Sequence, residues 1–297
     1  MARLTIPAEE LMTPGHLGCP GCGATLAMRY LLKGLGPRTM LTVPACCWAV
    51  MSGPFPQTAV RVPFLDCAFE ATGASIAGLR AGLDAKGVKD VTVVGFAGDG
   101  GTIDIGLQSL SASLERGVDA IYVMYDNEAY MNTGVQRSGA TPWGAWTTTT
   151  PVGRTKPQEK KDIMAIVAAH NVPYAATASI AFPEDFVKKV EKARAIRGPR
   201  FFHVLAPCPP GWKYPPEETV RLGRLVVDTG IFPLYEIENG RYRVTRKLGT
   251  RKPVSEYLAK QGRFGHLSEY EVAEIQRRVD ARWTKLLTLE KATEAIE

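Results

Sequence analysis

Residues 15–23 read GHLGCPGCG, placing Cys19 and Cys22 in a C-x-x-C spacing within a collar of glycines. That spacing points two thiolates at one soft metal centre, and a tetrahedral site needs two more. Four further cysteines are available, namely Cys46, Cys47, Cys67 and Cys208. Four thiolates suit zinc and an iron–sulfur cluster equally by count, and plain burial of the thiols is the remaining alternative. A second group of residues has a different chemistry. Asp99 lies within GDGGT, which reads as a tight turn just after the apolar stretch VTVVGFA, and Asn127 lies just after a second apolar stretch, DAIYVMY. A carboxylate, an amide oxygen and a backbone carbonyl beside a diphosphate make up the ligand pattern of Mg²⁺. The flanking Gly98, Gly100 and Gly101 would let the backbone approach a phosphate, and the N-terminus of the following helix favours its charge. The structural alternative is that Asp99 caps that helix and Asn127 makes a turn.

The elements around these residues decide between the readings. VTVVGFA and DAIYVMY are short, apolar and β-branched, as strands buried on both faces are. Between them, IDIGLQSLSASLERG carries helical apolar spacing at Ile103, Leu107, Leu110 and Leu114, with Gly117 to end it. This strand–helix–strand unit makes the two strands parallel neighbours and brings Asp99 and Asn127 to the same carboxyl edge, where such sheets bind ligands. Upstream, GATLAMRYLLKGLG predicts a helix, TMLTVPA a strand, and ATGASIAGLRAGLDAKG a small-residue helix packed closely on a neighbour. Downstream, KDIMAIVAAHN and PEDFVKKVEKARAIRG predict helices, with VPYAATAS and RFFHVLAPC as strands. The alternation predicts an α/β fold, an open and mostly parallel sheet with helices on both faces. Residues 139–160 form a long polar loop of the kind that is either functional or disordered.

The chain is expected to divide into an N-terminal segment (1–50) carrying the cysteine pair and belonging to the same domain, a core (51–208), and an extension (209–297). In the extension, an extended arm and a lone tail helix look suited to wrapping a partner. The 297 residues, 45% hydrophobic and 22% charged, are ordinary for a globular chain. A net charge of +6 without basic blocks interleaved with aromatics gives no nucleic-acid surface, and no apolar run is long enough for a membrane span. MARLTIPAEELM lacks the apolar core of a signal peptide, and free cysteines suit a reducing compartment, so a cytoplasmic location is expected.

The stretches GDGGTIDIGLQSLSASLERG and YDNEAYMNTGVQRSGATPWGAWTTTTPVG resemble the thiamine diphosphate-binding β subunit of the 2-oxoacid:ferredoxin oxidoreductases, most of all the multi-subunit pyruvate type. The likeness runs from PGH at Pro14 to QGRF at Gln261. It implies that Asp99, the Asn127 side chain and the Ala129 carbonyl hold Mg²⁺, and that Asn132 reaches towards the substrate carbonyl. It also implies that Ala45, Cys46, Trp48, Glu70 and Gly98, Gly100 and Gly101 contact the cofactor. For Glu70 an ordinary surface turn explains the residue as well. The resemblance further implies a [4Fe–4S] cluster on Cys19, Cys22, Cys47 and Cys208. The family's third ligand usually follows a glycine, whereas PACCW here has Cys46 in that place, and the spacing from Cys22 selects Cys47. Independently, Cys47 and Cys208 each follow an apolar strand and so reach the same edge as Asp99. Cys67 has no partner spacing and is expected to be a buried free thiol, and His16 to cap or support the cysteine turn.

The activating Glu of thiamine enzymes lies on a separate pyrimidine-binding domain that this chain has no room for, and no ferredoxin-type run of four cysteines is present. The resemblance therefore implies one subunit of a complex acting with a 2-oxoacid, coenzyme A and ferredoxin. The substrate is read as pyruvate, with branched-chain 2-oxoacids, 2-oxoglutarate and oxalate as alternatives. A non-redox thiamine decarboxylase subunit with a zinc site, and a zinc-bound scaffold without cofactor, are the other readings. A brown colour would separate the first from both.

Overall fold

The computed structural model describes residues 5–54 and 56–295. The first four residues of the stretch read above for a signal peptide lie outside them. The strands are β1 (Thr39–Pro44), β2 (Phe64–Cys67), β3 (Thr92–Gly98), β4 (Ile121–Asp126), β5 (Tyr174–Ser179), β6 (Arg200–Leu205), β7 (Tyr235–Glu238) and β8 (Arg241–Val244). The helices are α1 (Gly23–Leu35), α2 (Cys47–Met51), α3 (Thr72–Ala85), α4 (Asp99–Ile103), α5 (Leu107–Glu115), α6 (Ile163–Ala168), α7 (Pro183–Ala195), α8 (Pro209–Trp212), α9 (Thr219–Asp228), α10 (Val254–Leu258) and α11 (Glu269–Ala292).

Among the described residues the eight strands form one sheet in the order β2-β1-β3-β4-β6-β5-β7-β8. The first six run parallel, and the β7–β8 hairpin adds two antiparallel strands beside β5. β3 and β4 are parallel neighbours, with Val94 opposite Ile121 and Gly98 opposite Tyr125. β4, β5 and β6 are buried along their whole length, as inner parallel strands covered on both faces are. Alternate residues of β3 serve opposite faces: Val94 and Phe96 pack with α1 and α7, while Val93 and Ala97 pack on the side of α3, α5 and α6. The small-residue helix α3 does lie close to a neighbour. A Cβ on Gly73 would fall 2.1 Å from the Ser109 carbonyl oxygen of α5.

Three expectations change. The helix expected after Asp99 is two helices, because the chain turns at Asp104–Gly106. There Asp104 takes Lys161 Nζ, the Tyr130 hydroxyl and the Gly139 N–H, and a Cβ on Gly106 would fall 2.0 Å from the Gly101 carbonyl. The GDGG stretch is not a plain turn, since Asp99 already begins α4. The tail is not a free arm. Ser268 and Glu271 cap α11 reciprocally, and its Val279, Trp283 and Leu286 are buried against the chain's own body. Residues 209–297 also supply β7 and β8, so the sheet runs across the expected division at 208. Among the described residues no helix is long and apolar enough to cross a membrane.

Candidate functional site

The sheet order reverses at β1 and β3. The chain leaves β1 towards β2 on one side and leaves β3 towards β4 on the other, and the crevice at their carboxyl ends is where such sheets bind ligands. Ala45, Cys46 and Cys47 leave β1 there, and Gly98 and Asp99 leave β3 beside them. β4 delivers Asn127 to the same edge and β6 delivers Cys208.

Asp99 is 1% exposed and accepts a hydrogen bond from Ser138 Oγ at 2.5 Å. The tip of the Asn127 side chain lies 2.9 Å from Asp99 Oδ1 and 3.0 Å from the Ala129 carbonyl oxygen. With its nitrogen there, the amide donates to both. With its oxygen there, three oxygens converge as they do around a hard cation. Burial pushes the Asp99 carboxyl well above the usual carboxylate range, and the nearby Asp126 charge adds to this, against the Ser138 bond and the more distant Lys160. A buried carboxylate in this position gains most from a divalent cation at the converging oxygens, so the donor set fits Mg²⁺.

The loop carrying Asn127 is held by residues that the sequence reading did not select. Asp126 is fully buried and bonds Lys160 Nζ at 2.5 Å and His203 Nε2 at 2.6 Å, and its Oδ1 accepts the Glu128 N–H at 3.0 Å. Burial alone would raise its carboxyl, but Lys160 and His203 outweigh that and hold it down at about 2. Glu128 adopts φ +68°, a conformation that a non-glycine residue takes only when its surroundings impose it. The carboxylate of Glu128 pairs with Lys160 at 2.8 Å and Arg263 at 2.6 Å, and its carbonyl accepts from Thr141 Oγ1 at 2.7 Å. The long loop 139–160 is therefore built into the site. Lys156 Nζ fastens it further, donating to the carbonyls of Gly139 at 3.0 Å and Thr141 at 2.6 Å.

The glycines also serve the protein's own packing. A Cβ on Gly100 would fall 2.1 Å from the Tyr130 ring and one on Gly101 3.1 Å from Phe69, so here the missing side chains make room for the protein's own aromatics. Glu70 is exposed on the loop after β2, and its carbonyl accepts from Ser109 Oγ. Asn132 is exposed in the turn after Ala129, and Ala45 is exposed at the end of β1. Trp48 is fully buried and donates its indole N–H to the Ala24 carbonyl at 3.0 Å, so towards the crevice it can offer only main chain.

The cysteines gather where three helices begin. Cys22, Cys46 and Cys208 are the N-caps of α1, α2 and α8, and Cys47 is the first residue of α2. A hydrogen bond from the Gly23 N–H to the Pro207 carbonyl (3.0 Å) joins the first and third of these turns. Burial raises the Cys47 thiol, and the charges of Cys46, Cys208, Cys22 and Cys19 raise it further. Burial likewise pushes Cys208 up to about 12, with Cys22 and Cys19 adding to it against the Gly211 N–H. Cys47 and Cys208 are thus both raised by the charges of Cys22 and Cys19, and Cys47 by that of its neighbour Cys46 as well. Among the described residues no three His, Cys, Asp or Glu side chains are close enough to share a single metal ion. A cubane cluster spreads its ligand sulfurs over separate iron atoms, so it accepts a wider set than one ion does. The backbone N–H groups of Ala24 and Thr25, which act on Cys22, are donors of the kind that thiolate clusters use. Cys46 is approached by the backbone N–H groups of Ala49, Trp48 and Gly98 as well as by the Tyr125 hydroxyl. Cys67 ends β2 half-buried, in register with Pro44 at the end of β1, and His16 Nδ1 accepts the Gly18 N–H at 3.2 Å, a turn-capping role.

Residues 68–204 match the family model described as "Thiamine pyrophosphate enzyme, C-terminal TPP binding domain". The chain is 50% identical to ketoisovalerate oxidoreductase subunit VorB of Pyrococcus furiosus, over 97% of this chain and 96% of that one. It is 50% identical to pyruvate synthase subunit PorB of Methanocaldococcus jannaschii, over 97% and 100%, and 53% identical to that of Methanothermobacter thermautotrophicus, over 94% and 98%. Its fold is similar to that of a 2-oxoglutarate:ferredoxin oxidoreductase from Magnetococcus marinus, with a TM-score of 0.59, 18% identity, and 74% of this chain and 82% of that chain covered.

Proposed function

From the fact that this chain belongs to the 2-oxoacid:ferredoxin oxidoreductases, as their thiamine diphosphate-binding subunit, we propose that it holds the diphosphate end of the cofactor, its Mg²⁺ and one [4Fe–4S] cluster. The complex so formed converts a 2-oxoacid and coenzyme A to acyl-CoA and CO₂ in the cytoplasm and passes the electrons to ferredoxin. The observation that supports this most is that Asp99 Oδ1, the tip of the Asn127 amide and the Ala129 carbonyl converge at the same sheet edge to which β1 and β6 bring Cys47 and Cys208.

When bound, thiamine diphosphate supplies the carbanion chemistry of decarboxylation and the cluster supplies one-electron acceptance. The residues of this chain position both. Asp99, the Asn127 amide oxygen and the Ala129 carbonyl would hold the cation, and Ser138 keeps the second Asp99 oxygen turned away from it. Asp126 and Glu128, through Lys160, His203 and Arg263, fix the backbone that presents Ala129. Cys19, Cys22, Cys47 and Cys208 would ligate the cluster, and Asn132, exposed beside the crevice, is free to reach a substrate carbonyl. The activating Glu and the exit clusters come from partner subunits.

Pyruvate is the proposed substrate. The equal similarity to a ketoisovalerate oxidoreductase subunit favours a branched-chain 2-oxoacid as the second reading. The purified complex, assayed with coenzyme A and a viologen dye against pyruvate, 3-methyl-2-oxobutanoate, 2-oxoglutarate and oxalate, tests both. Highest kcat/KM with pyruvate is expected. No reduction with any of the four would overturn the assignment.

A further inference from the structure

At the pole of the sheet opposite the cofactor edge, where the parallel strands begin, lies a pocket of about 240 Å³. It is lined by residues that precede or open β1, β3, β4 and β6, among them Arg38, Lys89, Arg194, Arg197 and Arg200. Against these five cations the lining holds two carboxylates, Asp90 and Asp119. Arg38 pairs with Asp90 at 2.7 Å, and Arg197 pairs with Asp119 at 2.9 Å. Lys89 reaches out of the pocket to Asp84 at 3.0 Å, an oxygen that Arg80 also holds. Among the described residues Arg194 has no carboxylate partner, and it donates to the Leu35 carbonyl at 2.9 Å.

Arg200 is the least ordinary member. Its side chain is 4% exposed, its Nη1 donates to both Asp119 and the Gly198 carbonyl, and its Nε is buried with no partner. A buried guanidinium that shares its one carboxylate with a second arginine is under-neutralised, and an orphaned buried N–H is uncommon in folded proteins. Arg194, Arg197 and Arg200 follow at three-residue intervals through the α7–β6 connection, so one short segment delivers three planar forks to one place. Such forks match the paired oxygens of phosphate groups better than ammonium ions do. Nothing in the cofactor chemistry uses this pole.

We propose that this pocket binds a small, multiply charged anion of the phosphate class, borne either by a free polyphosphate or by a nucleotide. The surplus of cations supplies the attraction, the depth of Arg200 shields it from solvent, and the three separate segments that supply the five side chains make it a built concavity rather than a charged helix face.

The test is calorimetric titration of the full chain with inorganic pyrophosphate and, separately, with ADP. It is run at fixed ionic strength with EDTA present, so that the cation-dependent crevice at Asp99 does not compete. Saturable binding at one site per chain is expected, with a dissociation constant below about 1 mM. In the double variant Arg38→Ala/Arg194→Ala, both positions being largely exposed, binding should weaken at least ~10-fold with the melting temperature of the free chain unchanged. Arg241→Ala, on the far hairpin, should bind as the parent does. Equal affinity for the two probes assigns the site to phosphate itself, and ADP binding ~10-fold or more tighter assigns it to a nucleotide; both support the proposal. An absence of saturation, full binding by the double variant, or a response reproduced by sodium chloride at equal ionic strength would overturn it.

Discussion

The Trp212 indole N–H donates to the main-chain carbonyl of Asn127 at 2.7 Å. The short helix that follows Cys208 is thereby fastened to the loop that presents the cation ligands, and the two halves of the site share one rigid joint. The Arg263 guanidinium lies over the same indole, 3.9 Å from its centroid, while its Nη2 bonds Glu128.

Replacing Trp212 by Phe keeps an aromatic face under Arg263 and most of the apolar volume, and removes that donor. A buried bond of this kind contributes about 1 kcal/mol, so thiamine diphosphate with Mg²⁺ should bind ~5–10-fold more weakly. Fluorescence or calorimetric titration measures it. Affinity equal to the parent's would show that the joint does not govern the loop.

Asp99→Ala removes the one charged ligand proposed for the cation. The variant should retain its visible absorbance but hold no cofactor after gel filtration. A preparation that keeps stoichiometric thiamine diphosphate would place the cation elsewhere.

Replacing Cys19, Cys22, Cys47 or Cys208 singly by Ala should lower iron content and bleach the visible band, whereas Cys46→Ala and Cys67→Ala should leave both intact. Iron analysis decides between the adjacent pair: bleaching by Cys46→Ala and not by Cys47→Ala would exchange their roles.

Glu128→Gln leaves the buried Arg263 without its carboxylate and weakens the hold on Lys160. Breaking a buried pair from one side costs about 3–5 kcal/mol, and a destabilisation at the lower end is expected because Lys160 keeps Asp126. Urea unfolding monitored by tryptophan fluorescence reads it directly. A loss below about 1 kcal/mol would mean that the pair is solvated.

The hydrogen bond from Arg29, helped by Lys33, holds the Glu10 carboxyl at about 2, below its usual value of 4.5. The folded state thus gains stability from the ionised carboxylate above pH 4.5 and loses it as the pH falls towards 2. Glu10 is 39% exposed, so solvent screening limits the gain to about 1 kcal/mol at most. The hydrogen-exchange protection factors of residues 8–10, beside the Pro7, Ala8 and Glu9 carbonyls that hold Lys33, should fall in that acid window. Unchanged protection down to pH 2 would contradict the linkage.

Much of the parallel core was legible in the sequence because apolar runs, turn glycines and helical spacing are local signals. They located β3 and β4 and brought Asp99 and Asn127 to one edge, and the strand ends did the same for Cys47 and Cys208. The supports of the site were not legible. His203 meets Asp126, and Arg263 meets Glu128, across long stretches of chain that no periodicity connects. Ser138 looked like one polar residue among many, because a hydroxyl close to a carboxylate leaves no pattern along the chain. The break after α4 was missed because Leu107, Leu110 and Leu114 keep a helical period, while the turn at Asp104 is imposed by contacts with Lys161, Tyr130 and Gly139. The tail looked free because its buried residues, Val279, Trp283 and Leu286, occupy a narrow stripe on a mostly charged helix.

The Asp126–Ala129 loop is moored by β6 through His203, by the long loop through Lys160 and Thr141, and by the C-terminal region through Arg263. The crevice is therefore a finished mould. The entropy of ordering it was surrendered when the chain folded, so a guest meets walls already in position and need not wait for them to assemble. Cofactor capture by such a mould should follow a single encounter step without a lag. On heating, its retention should end abruptly, at the temperature where the sheet itself gives way.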